Sequence, residues 1–221
     1  MDLFDIIGPV MIGPSSSHTA GAARIGLIGR LLLGQRPTLA RIGFHGSFSN
    51  TWRGHGTDRA IVGGLLGMAV DDPRLRDSLS IAQKQGLSLI FSTVHLRGAH
   101  PNTVRLSLEG EQGARLEMEA ASVGGGNIDI TSLDGMNVDF SGKENTLIIR
   151  HRDTPGMIAL VTGILAQHQV NIATMQVFRR DAGAEAIMVL ELDTPLTPTM
   201  LAELKGLHDI VDATFLARRN D

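Results

Sequence analysis

From Thr146 onward the apolar and polar positions alternate in a regular order. Thr146 to His151 is a short apolar run of the kind that forms a buried strand. Arg152-Asp153-Thr154-Pro155-Gly156 then supplies a turn, an N-cap candidate and a proline suited to the first turn of a helix. Met157, Leu160, Val161, Ile164 and Leu165 recur at i, i+3, i+4, i+7 and i+8, the stripe of an amphipathic helix. Gln169 to Arg179 predicts a second strand, Asp181-Ala182-Gly183 a hairpin turn, and Ala184 to Leu192 a third strand with Ile187, Val189 and Glu191 in its alternation. Thr197 to Lys205 predicts a second helix stopped at Gly206, and Ile210 to Leu216 a fourth strand. The order β-α-β-β-α-β predicts a ferredoxin-like unit, one antiparallel sheet with both helices on one face.

The first half is patterned less cleanly. A helix rich in small residues is expected from Thr19 to Leu33, followed by a strand at Leu39 to Phe44. Further helices are expected at Asp58 to Met68 and Pro73 to Lys84, and strands at Leu87 to Leu96, Asn102 to Leu108, Ala114 to Ala121 and Asn127 to Thr131. His45 to Asp58 reads as a loop between a strand and a helix. This is mixed α/β structure with the strand order left open. Of the 26 glycines, 22 precede Asn145, so the two halves differ in character. The polar stretch Phe140 to Asn145 is too short for a free tether. The expected organisation is α+β, with one domain over 1–142 and a second over 146–221.

Composition narrows the functions. At 43% apolar and 19% charged residues, the 221-residue chain is expected to fold throughout. A net charge of −3 without a basic run argues against nucleic acid or an acidic membrane as partner. Absence of cysteine excludes disulfide scaffolds, thiolate nucleophiles, thiolate zinc sites and a self-held iron–sulfur cluster, so no metal site is expected in this chain. Asp2 and Asp5 stand where a secretory signal would carry Lys or Arg, and no run of 18 apolar residues exists; the chain reads as cytoplasmic.

Several segments carry candidate chemistry. In Gly13-Pro14-Ser15-Ser16-Ser17-His18-Thr19-Ala20-Gly21 four hydroxyls and an imidazole sit where a loop enters a helix. Unpaired N–H groups and hydroxyls converging there make an anion pocket able to hold a carboxylate or phosphate; the alternative is an over-supplied N-cap. In the second segment His55, Thr57 and Asp58 are expected at another positive helix end, with Gly54 and Gly56 leaving the imidazole uncovered; the alternative is a tight connection with His55 in solvent. His100-Pro101-Asn102-Thr103 fits an ordinary turn between strands. Ser122-Val123-Gly124-Gly125-Gly126 lacks the residues of a nucleotide loop and reads as a bulge or a domain hinge. His45, His95, His151, His168 and His208 show no zinc-like spacing and are expected to be structural or superficial. In the second domain the loop Arg152 to Gly156 is a small anion site in which Asp153 can neutralise an ammonium group, joined by Asn171 from a neighbouring copy. A free amino acid is such a zwitterion.

Taken in order, GPSSSHTAG, HGSF, GHGTDRAIVGGLLG, HPNT and SVGGGNI resemble the β subunit of iron–sulfur-dependent L-serine dehydratase over about residues 1–140. The remainder, opening with RDTPGMI, resembles an ACT domain. The resemblance implies an enzyme of two chains that converts L-serine to pyruvate and ammonia, with an α subunit carrying the cysteines of a [4Fe–4S] cluster and this chain inactive alone. It also implies His55 as the α-proton base or its orienter, since a neutral imidazole accepts a proton at cellular pH. His18 with Ser15, Ser16, Ser17 and Thr19 would hold the serine carboxylate, Thr57 and Asp58 would join the substrate site, and His100 and Asn102 are secondary candidates. Asn50, Trp52 and Arg53 depart from the small residues or lysine of the family pattern. The ACT domain would regulate, through Asp153, Gly156 and Asn171, or pair with a second copy. The amino-terminal fold is similar to the allosteric substrate-binding domain of some phosphoglycerate dehydrogenases, so the alternative is a non-catalytic module that binds serine as a regulator.

Overall fold

The computed structural model describes residues 15–218 and divides at Gly135 into two compact units. In the first, a wide π-type turn, Ser16–Gly21, runs directly into α1 (Ala22–Leu33). Then come β1 (Pro37–Phe44), α2 (Gly46–His55), α3 (Thr57–Leu65), a 3₁₀ turn at Pro73–Asp77, α4 (Ser78–Lys84) and β2 (Ser88–Thr93). Three antiparallel strands follow, β3 (Thr103–Gly110), β4 (Arg115–Gly124) and β5 (Asn127–Leu133). Within the first unit the sheet order is β2-β1-β3-β4-β5, parallel only between β1 and β2; β6 (Met136–Phe140) opens the second unit.

One face of this sheet carries the core. Ala40, Ile42 and Phe44 of β1, Val104, Leu106 and Leu108 of β3, and Leu116, Met118 and Ala120 of β4 are buried in strict alternation. Between them Arg41 and Arg105 point the other way and pair across the strands with Glu109 (2.9 Å) and Glu119 (2.6 Å). Gly29 brings α1 down onto the buried face: a Cβ there would stand 3.0 Å from a Leu106 methyl. α1 and α3 then cross backbone to backbone. A Cβ on Gly26 would lie 2.1 Å from the Ile61 carbonyl oxygen, and one on Gly64 would lie 2.0 Å from that of Ala23. Small residues in α1 therefore serve a helix crossing.

The stretch read as a loop from His45 to Asp58 holds a helix, α2. Its glycines, serines, asparagine and threonine are poor helix formers. Tertiary packing outweighs them: Phe48 is fully buried, and Trp52 stacks on Phe44 and Phe91 with ring centroids 5.0 and 5.2 Å away. β6 was also not anticipated, since Met136, Val138 and Phe140 make only a short alternation. Ser122 to Gly126 forms the β4–β5 hairpin with a bulge between Ser122 and Gly124, Gly124, Gly125 and Gly126 all having positive φ; it lies within the first unit and is not a domain hinge.

In the second unit β7 (Asn145–Arg152), α5 (Met157–Gln167), β8 (Ile172–Arg179), β9 (Glu185–Leu192), α6 (Pro198–Lys205) and β10 (Ile210–Leu216) follow one another. Their sheet runs β10-β7-β9-β8, wholly antiparallel, the ferredoxin-like order. Leu147, Ile149, Met188 and Leu190 pack with Met157, Val161 and Leu165 of α5 and Leu204 of α6, which puts both helices on one face. Four details differ from the pattern. Leu160 is 50% exposed, because the buried stripe of α5 follows Met157, Val161, Ile164 and Leu165. The second strand begins at Ile172, since Gln169 takes a left-handed φ of 57°. Every residue from Ala186 to Leu190 is buried, so β9 shows no polar alternation there. Gly206 ends α6 with an ordinary right-handed φ of −78°.

Candidate functional site

Ser15 is in extended conformation and caps the turn that follows, its Oγ accepting from the backbone N–H of His18 at 3.3 Å. The Ser16–Gly21 turn packs against α2, α3, β4 and β5, so residues far apart in sequence meet around it. Nδ1 of His18 lies 3.2 Å from Ser15 Oγ, and Nε2 lies 3.0 Å from Thr51 Oγ1 on α2. Phe48 and His55, on the same helix, flank the His18 ring edge-on at 5.0 and 4.7 Å between centroids. Ser15, Ser16 and Ser17 are half-buried, and Thr19 is buried with no partner for its hydroxyl. Gly13 and Pro14 of the same segment lie outside the described residues.

His55 is brought to His18, as the two segments require for one site, but not at a positive helix end. It is the last residue of α2, and Gly56, with φ 71°, turns the chain into α3. Thr57 and Asp58 do open a helix. Thr57 is fully buried with its hydroxyl unpaired, and Asp58 is buried with Oδ1 accepting from the Arg59 N–H at 2.9 Å. Burial pushes the Asp58 carboxyl above the usual carboxylate range, against the pull of the Arg59 N–H.

The third segment packs beside α2. A Cβ on Gly46 would meet the Pro101 backbone oxygen at 2.5 Å, and the His45 N–H donates to Thr103 O at 3.0 Å. His100 itself is exposed, its Nδ1 accepting from the Asn102 N–H at 3.1 Å. The Ser122 N–H donates to Asn102 O at 3.0 Å, which links this turn to the glycine hairpin. Ser122 is a residue that sequence reasoning missed. It is fully buried with Oγ unpaired, and a Cβ on Gly21 would fall 2.1 Å from that oxygen. The signal was its position before Gly124, Gly125 and Gly126, which let backbone come close. Thr51 was missed as well; only a turn of α2 carries it under His18.

Thr19, on the turn itself, and Thr57 and Ser122, on elements that pack against it, each carry a buried hydroxyl without a partner. Burial first, then the neighbouring His55, holds the His18 imidazole below its ordinary value. Its folded-state affinity for a proton is thus weaker than in the unfolded chain. As pH falls through about 6.5 the unfolded chain takes up this proton first, so the His18 contribution to stability is intact above that value and declines below it. Denaturant titrations between about pH 7 and pH 5 should therefore show His18→Gln losing less stability than wild type; parallel curves would refute this.

In the second unit the candidate side chains Asp153 and Asn171 have hydrogen-bond partners within the chain. Asp153 accepts from the Gly183 N–H at 3.2 Å and from Arg179 at 3.0 Å, and these bonds hold its carboxyl below the usual range. Asn171 donates to Asp193 Oδ2 at 2.6 Å. Thr154 does not cap α5: its hydroxyl donates to Asp209, and Gly156, with φ 93°, takes the cap position. His151, read as structural or superficial, is 2% exposed; its Nδ1 lies 2.7 Å from Arg152 O, and its Nε2 has no partner. Among the described residues no three His, Asp or Glu side chains gather as a metal-ligating group, and the chain has no cysteine.

Comparison with known proteins gives the family. The family model "serine dehydratase beta chain" matches residues 1–85, and the ACT domain model matches residues 145–209. The chain is 43% identical over 215 residues to a probable L-serine dehydratase beta chain of Bacillus subtilis (strain 168), covering 97% of each. The chain belongs to the L-serine dehydratase β-chain family. A second such β chain, from Peptoniphilus asaccharolyticus, is 33% identical over 214 residues and 96% of each chain. D-3-phosphoglycerate dehydrogenase of Bacillus subtilis (strain 168) is 29% identical over 159 residues, which is 72% of this chain but 30% of that enzyme. In the first unit the HGSF–GHGTD and SVGGGNI segments pack against the turn of the GPSSSHTAG segment, and HPNT packs beside Gly46 and Ser122. No helix among the described residues is long and apolar enough to cross a membrane.

Proposed function

We propose that this chain is the cysteine-free half of a two-chain L-serine ammonia-lyase, completed by an α chain that holds a [4Fe–4S] cluster. The observation that carries the reading is the meeting of His18 and His55, ring centroids 4.7 Å apart, at the entrance of α1. The chain has no cysteine and no metal-ligating group gathers among its described residues, so this reading assigns the cluster to the α chain. When bound on the partner, the cluster supplies a Lewis-acidic iron.

The chain's own residues bind and move protons. Ser16, Ser17 and Thr19, with the N–H groups of their turn, hold the substrate carboxylate, while Ser15 and, at the start of α3, Thr57 and Asp58 complete the substrate site. His55, exposed at the end of α2, takes the α-proton onto its imidazole. Loss of that proton and of the β-hydroxyl leaves an enamine, which tautomerises to the imine and is hydrolysed to pyruvate and ammonia. Burial, and then the neighbouring His55, disfavours a proton on the His18 imidazole, which limits a second positive charge beside His55. His100 and Asn102 stand at the turn that braces the glycine hairpin and serve as secondary contacts.

A second reading is a non-catalytic, serine-binding regulatory module. The alignment with phosphoglycerate dehydrogenase over 72% of this chain favours it. Under it, Asp153, Gly156 and Asn171 would receive an effector or face a second copy. Mixing the purified chain with its α chain separates the two. The lyase reading expects pyruvate from L-serine only when both chains are present. Pyruvate formed by either chain alone at the rate of the pair, or by no combination of the two, would defeat it.

A further inference from the structure

The hydrogen bonds around His18 have a direction. Thr51 carries one hydroxyl proton, and Oγ1 lies 2.8 Å from the Ser47 carbonyl oxygen, an acceptor only. That proton is committed, so Thr51 Oγ1 accepts from His18 Nε2 at 3.0 Å. A neutral imidazole carries one N–H; with it on Nε2, Nδ1 is an acceptor. Ser15 Oγ, 3.2 Å from Nδ1, then donates its own proton there. Both ring nitrogens have partners, so a flipped ring, which would aim carbons at Ser15 and Thr51, loses two bonds. Edge contacts from Phe48 and His55 close the remaining sides.

We propose that Thr51 is a positioning residue, which commits His18 to its Nε2–H tautomer and thereby turns the Ser15 hydroxyl proton onto His18 Nδ1. The chain runs Ser15 O–H to Nδ1, Nε2–H to Thr51, Thr51 O–H to Ser47 O. Its consequence falls on recognition. With its proton spent on His18 Nδ1 and one lone pair engaged by the His18 N–H, Ser15 Oγ has a single lone pair for an incoming ligand. It therefore accepts from an ammonium or hydroxyl group instead of donating to a carboxylate. Within the lyase reading, on which this inference rests, the carboxylate is left to Ser16, Ser17 and Thr19, and Ser15 faces the substrate's donor groups.

Long-range ¹H–¹⁵N NMR of the intact chain reads the tautomer directly, with the His18 signal assigned by its loss in His18→Gln. Wild type and Thr51→Ser should show a protonated Nε2 and an unprotonated Nδ1. In Thr51→Val, of the same shape but without the acceptor, the population should move toward Nδ1–H. In the reconstituted pair, kcat should fall about 10–100-fold for Thr51→Val and recover in Thr51→Ser. Wild type protonated on Nδ1, or a Thr51→Val tautomer unchanged from wild type, overturns the inference whatever the turnover. A shifted tautomer with unchanged kcat upholds the positioning by Thr51 and overturns instead the catalytic reading of this site.

Discussion

His55→Ala should lower kcat of the reconstituted pair about 10²–10⁴-fold, the loss that accompanies removal of a general base. The substitution removes an exposed ring, so folding and assembly should be retained. His55 closes α2, where the backbone carbonyls point outward and the helix dipole favours a cation. An imidazole that has just accepted the α-proton is such a cation. Gly54 and Gly56 flank it without side chains, and a Cβ at either position would have no heavy atom within 4 Å. Substrate can thus approach the ring. KM should change little, because the carboxylate contacts arise from the Ser16–Gly21 turn. Steady-state kinetics on the pair checks this. A variant that turns over L-serine at the wild-type rate would remove His55 as the base and favour the binding-module reading.

The largest effect on stability is expected at the crossing of α1 and α3. Gly64→Ala places a Cβ 2.0 Å from Ala23 O and 2.6 Å from Leu27 N. These are backbone atoms, so no rotamer change relieves the overlap and the helices must separate. Ile25, Ile61 and Leu65, all fully buried around the crossing, lose packing when they do. Overpacking of this kind costs about 1–3 kcal/mol and in rigid cases more. The same substitution at Gly163 in α5, where nothing lies within 4 Å, should instead gain about 0.5–1 kcal/mol from helix propensity. Denaturant midpoints of the intact chain compare the two. Equal midpoints for Gly64→Ala and wild type would contradict the close crossing. Activity should fall with Gly64→Ala as well, since α1 continues the Ser16–Gly21 turn and α3 begins with Thr57 and Asp58.

The second unit was legible almost element by element, because each strand and helix there buries one stripe whose period shows in the chain: Met157, Val161, Ile164 and Leu165 are buried as their spacing requires. Leu160 was misjudged because spacing defines a stripe's centre better than its margin. In the first unit the period was blurred by glycines that permit backbone contact, and α2 was hidden entirely. Its sequence Gly-Ser-Phe-Ser-Asn-Thr-Trp-Arg-Gly-His has turn composition, and only burial of Phe48 and the stacking of Trp52 on Phe44 and Phe91, on two different strands, give it a reason to coil. His18 and His55 were visible as unusual residues in unusual loops. Thr51 was not, since a threonine in a polar run carries no local mark, and Ser122 was marked only by the glycines that follow it.

By itself the amino-acid sequence determined the residue types of the site, the carboxyl-terminal β-α-β-β-α-β order and the need for any thiolate ligands to come from elsewhere. These follow from composition, local period and short motifs, all of which act within a few residues. Only the tertiary structure decided that His55 ends a helix, that Thr51 and Ser15 bracket His18, and that Ser122 closes against Gly21. Those relations join positions as far as about a hundred residues apart. They depend on where packing of the α1–α3 crossing against the sheet brings each backbone, an outcome of the whole core and not of any one segment.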